Sequence, residues 1–598
     1  MTRPTENLPR TALTRLFDQL TGSGEAVAFS LPGGTALFKA GEAADQLFLL
    51  RTGRLGATRR EEGREPRFLG VIRPGEPAGE MALIAGAPHY ADVTALRDCE
   101  ILALPREAFL HAVATDPAVT NELARWIVGR ARQIAEIVSL GEPSVFAFVA
   151  LVAAFKVRPL VDLIARAVER LGYSVTVVGA EAQGSPTEWF SHIEHLHDFV
   201  FYAAEAEETA WKGLAGRQAD RLFQVAPGYA SPPMVLDVRA GAALQAQGLA
   251  DLILVQRPGC AAPRGSALWA AAVTPTRLFQ VRRSSIADIA RMARVITGQA
   301  VGLVLSGGGA RGYAHIGAIR ALHARGVPID FVCGVSTGAV MAAGLAMGWG
   351  DDELDRRIRK AFVDSSPVGD IAFPFIALTH GRRVRARLTE HFGDRQICDL
   401  WLPFFCLSTN LTTGAYQLHR QGLAREALLA SVSLPGVLPP VIRGTDVLVD
   451  GAVLNNFPAD IMRSLHAGPI IGVDVGVGRS VDVHDLMDPV SILRWLLSGA
   501  WRRGPPIVSL LMRAATVTGG RDITAGRTAT DVLIVPMVDN VEIRDWKAYD
   551  RAVAAGQRAA LEALDELAMP VTRLRRRSTI DEQQSNRPGQ SALLNPGA

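Results

Sequence analysis

Apolar and polar positions change rhythm three times along this chain. From about residue 25 to 110, short apolar runs are broken by turn signals: LPGG (31–34), KAGEAAD (39–45), RTGRLG (51–56) and RPGEPAGE (73–80). Runs such as QLFLL (46–50) and EILALP (100–105) have the length and spacing of strands in a small β-barrel or jelly roll. The stretch 117–139 then repeats its apolar residues at steps of three and four, which predicts a helix. From about 143 the pattern alters. VFAFVAL (145–151) reads as a buried strand, VRPLVDLIARAVERLG (157–172) as a helix ending in Gly, and YSVTVVGA (173–180) as the next strand. That βαβ order predicts a parallel sheet.

A third region opens near 300. VGLVLS (301–306) is a strand, GGGARG (307–312) a turn and YAHIGAIRALHARG (313–326) a helix. VPIDFVC (327–333) is a second strand, GVSTG (334–338) a turn and AVMAAGLAMG (339–348) a second helix. TDVLVDG (445–451) is a later strand that ends on an acid and a Gly. After about 570 the composition cannot bury a core, so a disordered tail is expected. The predicted domains are therefore 12–138, 143–299 and 300–569, followed by the tail 570–598.

Composition narrows the setting. The chain has 598 residues, 48% of them hydrophobic, which is ample for several cores. A formal net charge of +3 is close to balance for this size and does not point to nucleic acid. The five Cys are scattered with no CxxC, which fits a reducing compartment rather than a disulfide framework or zinc site. The opening MTRPTENLPRTALTRLFDQL lacks an apolar signal core. The most apolar run, VFAFVALVAAF (145–155), is well short of the roughly 18 residues of a membrane span. The expectation is a cytoplasmic protein, soluble or peripheral at the inner face of the membrane.

Two turns carry chemistry. Gly307, Gly309 and Gly312 fit G-x-G-x-x-G, a dinucleotide fingerprint in form. That reading needs an acid at the carboxyl end of the next strand, but Asp330 precedes FVC and sits near the strand's start. The strand ends instead in Gly334-Val-Ser336-Thr-Gly338, the form of a nucleophile elbow. Two carboxyl ends of neighbouring strands would bring GGGARG beside Ser336, where glycine N–H groups can hold a developing oxyanion. Gly307, Gly308, Gly309 and Gly312 are the candidate cradle, with Arg311 either adding charge or locking the loop.

Ser336 needs a base. His380, His391, His419, His466 and His484 follow it, none in a recognisable motif, and His315 reads as a packed or surface His in the first helix. Asp450 follows VLV at a strand's carboxyl end. A free carboxylate, with a reference pKa of about 3.9, is a weak base, and partial desolvation raises that value.

GGGARG, GVSTG and DGA in that order resemble the patatin-like phospholipase family. The resemblance implies a Gly-rich oxyanion loop at Gly307–Gly312, Ser336 as nucleophile and Asp450 as base, a dyad without His. The three-part organisation, with FVFYAAEAEETAWKGLAGRQADRLFQVA (199–226) in its centre, is similar to bacterial relatives of neuropathy target esterase. The implied fold is α/β: a patatin-like parallel-sheet hydrolase domain behind a β-rich, cyclic-nucleotide-binding-like barrel and a central α/β region. The implied reaction is hydrolysis of phospholipid or lysophospholipid esters through an acyl-enzyme, with no cofactor and no metal. The competing reading is a non-catalytic lipid- or nucleotide-sensing protein with a vestigial site.

EPAGEMALIAGAPHYADVTA (76–95) resembles the phosphate-binding cassette of cyclic-nucleotide-binding domains. Gly79 and Glu80 match the residues that meet the ribose. The family's Arg and Ser/Thr for the cyclic phosphate are here His89 and Tyr90. Losing a charge-assisted bond to phosphate costs ~1.5–3 kcal/mol, so weak or absent cyclic-nucleotide binding is expected. Three further stretches are weaker signals. DLMDPVSILRWLLSGAWRR (485–503) suits an interfacial amphipathic helix or an ordinary packed one, and GRRVRARL (381–388) a solvated basic face. HIEHLHD (192–198) lacks the spacing of HExxH and reads as surface.

Overall fold

The three rhythms become four sheets, the first of them supplying two. The computed structural model describes residues 11–59, 67–135, 143–234, 236, 242–246, 248–364, 369–372, 376–476, 520–542 and 545–574. It divides into two compact units, 1–297 and 298–598.

The first unit opens with two four-stranded antiparallel sheets. One orders Val27–Leu31, Cys99–Pro105, Gln46–Thr52 and Pro77–Ala78. The other orders Ala36–Phe38, Asp92–Ala95, Leu55–Arg59 and Arg67–Ile72. Their facing side chains, among them Phe38, Leu50, Leu55, Val93 and Ile101, close a β-rich barrel core. A second cluster, including Leu13, Phe17, Leu47, Phe109 and Leu123, seats the flanking helices Ala12–Ser23, Arg106–Thr115 and Pro117–Ala135 on the barrel.

The central region of this unit is a six-stranded parallel sheet: β1 (Val145–Ala150), β2 (Val175–Val178), β3 (Phe199–Ala204), β4 (Arg221–Pro227), β5 (Ala250–Gln256) and β6 (Leu278–Arg282), in the order β2-β3-β1-β4-β5-β6. β1, β3 and β5 are buried at every residue, the mark of a sheet covered on both faces. Buried ion pairs tie it to the barrel: Arg97 to Glu194 at 2.8 Å and Arg54 to Asp220 at 3.0 Å. Glu194 belongs to HIEHLHD, whose His192 and His195 are exposed.

The second unit is built on β7 (Gly302–Leu305), β8 (Phe331–Val335), β9 (Phe404–Asn410), β10 (Ala415–His419), β11 (Val441–Arg443), β12 (Asp446–Asp450), β13 (Ile470–Val473) and β14 (Val532–Ile534). They run β11-β12-β9-β8-β7-β13-β14, with β10 also paired to β9. β8 starts later than the apolar run suggests. The buried Asp330 carboxylate accepts Val301 N–H at 3.0 Å and acts as a structural lock beneath the strands, not as a ribose ligand.

One arrangement in this sheet decides the site. β8 pairs parallel with β9 as far as Val335–Leu407, and β12 pairs antiparallel with β9 from Ser408–Asp450 onward. β10 occupies β9's other edge across Cys406–Asn410. A strand has two edges, so β12 takes over the edge of β9 where β8 leaves it. The end of β12 therefore meets the end of β8.

Candidate active site

At the end of β8 the backbone turns sharply. Ser336 has φ 54° and ψ −126° at the N-cap of the helix Thr337–Ala346. Positive φ is costly for a residue with a Cβ and persists where surroundings enforce it. Ser336 N–H donates to Ser431 Oγ at 3.0 Å. The flanking glycines admit no side chain: a Cβ on Gly334 would lie 2.5 Å from Gly338 C, and one on Gly338 would lie 2.4 Å from Leu305 O. G-x-S-x-G is thus a packing requirement of the elbow.

Ser336 Oγ donates to Asp450 Oδ2 at 2.7 Å across 114 positions of sequence. Asp450 is fully buried, its Oδ1 accepts Ala452 N–H at 2.9 Å and its own N–H donates to Ser433 O at 2.9 Å. Burial pushes its carboxyl up to about 7, against the opposing pull of the Ala452 N–H and the Ser336 hydroxyl. Its affinity for a proton is shifted toward that of an imidazole, and it is hydrogen-bonded to Ser336.

The histidines go elsewhere. His315 is buried and its Nε2 lies 2.8 Å from Ser306 O, and burial pushes it down to about 4. His419 Nε2 lies 2.7 Å from Ser408 Oγ and is likewise pushed to about 4. His466 Nδ1 accepts Gly468 N–H. No described histidine bonds Ser336 or Asp450; His484 lies outside the described residues.

The glycine loop runs against Ser336: a Cβ on Gly307 would lie 3.0 Å from Ser336 Cβ. Gly307 N–H donates to Asn456 Oδ1 at 3.0 Å, and Asn456 Nδ2 donates to Gly307 O at 3.1 Å. The Gly307 N–H is therefore already engaged. Gly309 takes φ 57°, and its carbonyl accepts the Thr337 hydroxyl at 3.0 Å. Gly312 passes Thr337 so closely that a Cβ would lie 3.0 Å from Thr337 Cβ. Of the two roles open to Arg311, the geometry supports locking: its Nε donates to Val541 O at 2.8 Å. The sequence pattern does not single out Ser431, Ser433 or Asn456. The tandem Asn455-Asn456 just after DGA is the available signal.

The barrel's cassette departs from a phosphate site. Gly79, at φ 90°, starts the helix Glu80–Ala85, and Glu80 is buried and paired with Arg130 from the helix Pro117–Ala135. His89 stacks on Phe38 with ring centroids 3.7 Å apart, and burial lowers its pKa, which disfavours its charged form. Tyr90 is exposed. Phe38, Val93, Glu80, His89, Tyr90 and Arg130 line a cavity of about 60 Å³. The basic segment at 381–388 forms the start of the helix Arg382–Phe392, with Arg382, Arg383 and Arg385 exposed. The amphipathic stretch 485–503 lies outside the described residues, as does the tail from 575; Val571–Arg573 is a 3-10 turn with Val571 buried.

A β-rich barrel, followed in sequence by a mixed sheet whose parallel strands carry an elbow serine and whose antiparallel strand brings an adjoining carboxylate, defines a class: a patatin-like phospholipase domain preceded by a cyclic-nucleotide-binding-type module. Residues 303–463 match the family described as Patatin-like phospholipase, and residues 28–116 the Cyclic nucleotide-binding domain. An uncharacterised NTE family protein of Mycobacterium bovis is 30% identical over 560 residues, covering 89% of this chain and 91% of that protein. The chain belongs to the NTE family. Human Patatin-like phospholipase domain-containing protein 6 is 27% identical over 599 residues, 88% of this chain but 44% of its own length. Among solved structures, the regulatory domain of Toxoplasma gondii PKA with cAMP is 21% identical over 20% of this chain and 48% of that one, with a TM-score of 0.17. Among the described residues no helix is long and apolar enough to cross a membrane.

Proposed function

We propose that the protein is a serine esterase that hydrolyses the acyl esters of phospholipids or lysophospholipids through Ser336 and Asp450. The 2.7 Å hydrogen bond between Ser336 Oγ and a buried carboxyl poised near neutrality carries this reading. Ser336 Oγ attacks the ester carbonyl while its proton passes to Asp450 Oδ2. The carbonyl oxygen becomes an oxyanion, held by N–H groups of Gly308 and Gly309. Collapse expels the lipid alcohol, which takes the proton from Asp450, and leaves the acyl on Ser336. Water then attacks the acyl carbonyl as its proton passes to Asp450, and Asp450 returns that proton to Ser336 Oγ as the fatty acid leaves. The cycle balances with no cofactor. The substrate implies a peripheral encounter with a lipid surface. The barrel, with His89 in place of a phosphate-binding Arg, supports a regulatory or interaction role with weak or no cyclic-nucleotide binding.

The test is a panel of phospholipids and lysophospholipids assayed with wild type and Ser336→Ala, with and without cAMP. Hydrolysis and fluorophosphonate labelling by wild type alone are expected. A folded Ser336→Ala protein with full activity would sink the reading.

A further inference from the structure

Asn456 makes a two-point amide pair with the first residue of the glycine loop: it accepts Gly307 N–H at 3.0 Å and donates to Gly307 O at 3.1 Å. In a trans peptide the C=O of one residue and the N–H of the next point in opposite directions. Holding the Gly307 carbonyl on Asn456 Nδ2 therefore turns the Gly308 N–H to the opposite side of that peptide. A glycine peptide has little to resist a flip. If this one turned over, a carbonyl oxygen would stand where the N–H had been, and a carbonyl repels an oxyanion. Among the described residues Gly308 N–H meets no acceptor, whereas Gly307 N–H and Ser336 N–H are both engaged.

Asn456 follows the 3-10 turn Gly451–Val453 that leaves Asp450, so the segment supplying the base also supplies the clamp. Gly307 itself must be glycine, since a Cβ there would lie 2.5 Å from Asn456 Oδ1. We propose that Asn456 is a positioning residue for the oxyanion site: it sets the Gly307–Gly308 peptide so that Gly308 N–H is presented to the transition state, and it does not touch the substrate. This rests on the esterase reading above.

The experiment uses the full chain with Asn456→Asp and Asn456→Ala. Asn456→Asp keeps an acceptor for Gly307 N–H but removes the donor that holds the carbonyl; Asn456→Ala removes both. Removing one oxyanion donor costs about 10²–10³ in kcat, so a fall of about 10²-fold on a lysophospholipid is expected in both. A long-chain trifluoromethyl ketone, whose adduct with Ser336 carries an oxyanion, should lose affinity in step. A non-hydrolysable ether analogue of the substrate should bind within about threefold of wild type, and in Asn456→Ala, which adds no charge, the pH midpoint of the rate should stay where Asp450 sets it. Rates within about threefold of wild type in Asn456→Asp would overturn the proposal. So would equal losses of ketone and ether-analogue affinity, which signal a collapsed site. A wild-type chain that neither hydrolyses esters nor takes a fluorophosphonate would instead refute the esterase reading, and this proposal with it.

Discussion

Asp450→Asn removes the ability to hold a proton and leaves shape and burial nearly unchanged. The wild-type carboxyl moves from an ordinary 3.8 to about 7 on folding. Each tenfold change in acidity is worth about 1.4 kcal/mol, so ionising Asp450 in the folded protein costs about 4 kcal/mol more than in the unfolded chain. The folded state binds this proton more tightly. Its contribution to stability is therefore full below 3.8, declines as pH rises, and is gone above about 7. Asn carries no charge at any pH. The variant should match wild type at acidic pH and exceed it by up to about 4 kcal/mol at alkaline pH. Activity moves the other way. Losing a general base costs about 10²–10⁴-fold, or roughly 3–5 kcal/mol of barrier. The assays are kcat/KM on a lysophospholipid from about pH 5 to 9 and melting temperature at the two extremes. Wild type should show a rate rising through about pH 7, and the variant a low, flat one. An Asp450→Asn chain within tenfold of wild-type rate, or less stable than wild type at alkaline pH, would refute the reasoning.

Two further expectations concern the loop packing and the barrel. Gly338→Ala places a Cβ 2.4 Å from Leu305 O and 2.5 Å from Ser306 O, both backbone atoms, so the elbow helix must shift. A loss of about 1–3 kcal/mol in stability and at least tenfold in rate is expected from melting and turnover measurements. In the barrel, calorimetric titration with cAMP should show weak or no binding to wild type. His89→Arg should tighten it by roughly 10- to 150-fold, the worth of a charge-assisted phosphate bond.

Local pattern revealed much of this molecule because its strands are short and its turns are marked by glycine. The run VGLVLS-GGGARG and the run FVC-GVSTG each read correctly as strand, turn and helix, with small shifts: Gly334 and Val335 belong to β8, and Ser336 alone makes the bend. Asp450 was legible as an acid at a strand's end, but the direction of that strand was not. β12 runs antiparallel to β9, and that pairing carries Asp450 to Ser336, 114 positions upstream. Nothing in VLVDGA encodes that register. Ser431 and Asn456 escaped for the same reason. A serine on a helix and an asparagine in a loop are ordinary residues until the sheet brings them to the elbow and the glycine loop. The fate of Arg130 was equally invisible, since its partner Glu80 lies fifty positions away on a different element.

The sharing of one edge of β9 by β8 and β12 has a kinetic consequence. Ser336 follows a strand that pairs with earlier neighbours, whereas Asp450 arrives only when a strand further downstream docks on what is left of that edge. During synthesis the chain carries an elbow serine with no proton acceptor until residue 450 has emerged and β12 has closed the long loop behind it. Long-range closures of this kind are slow relative to local helix and turn formation. On the esterase reading proposed above, reactivity toward a fluorophosphonate would therefore clock the completion of this edge, and an unfinished or misregistered chain would be chemically silent toward lipid.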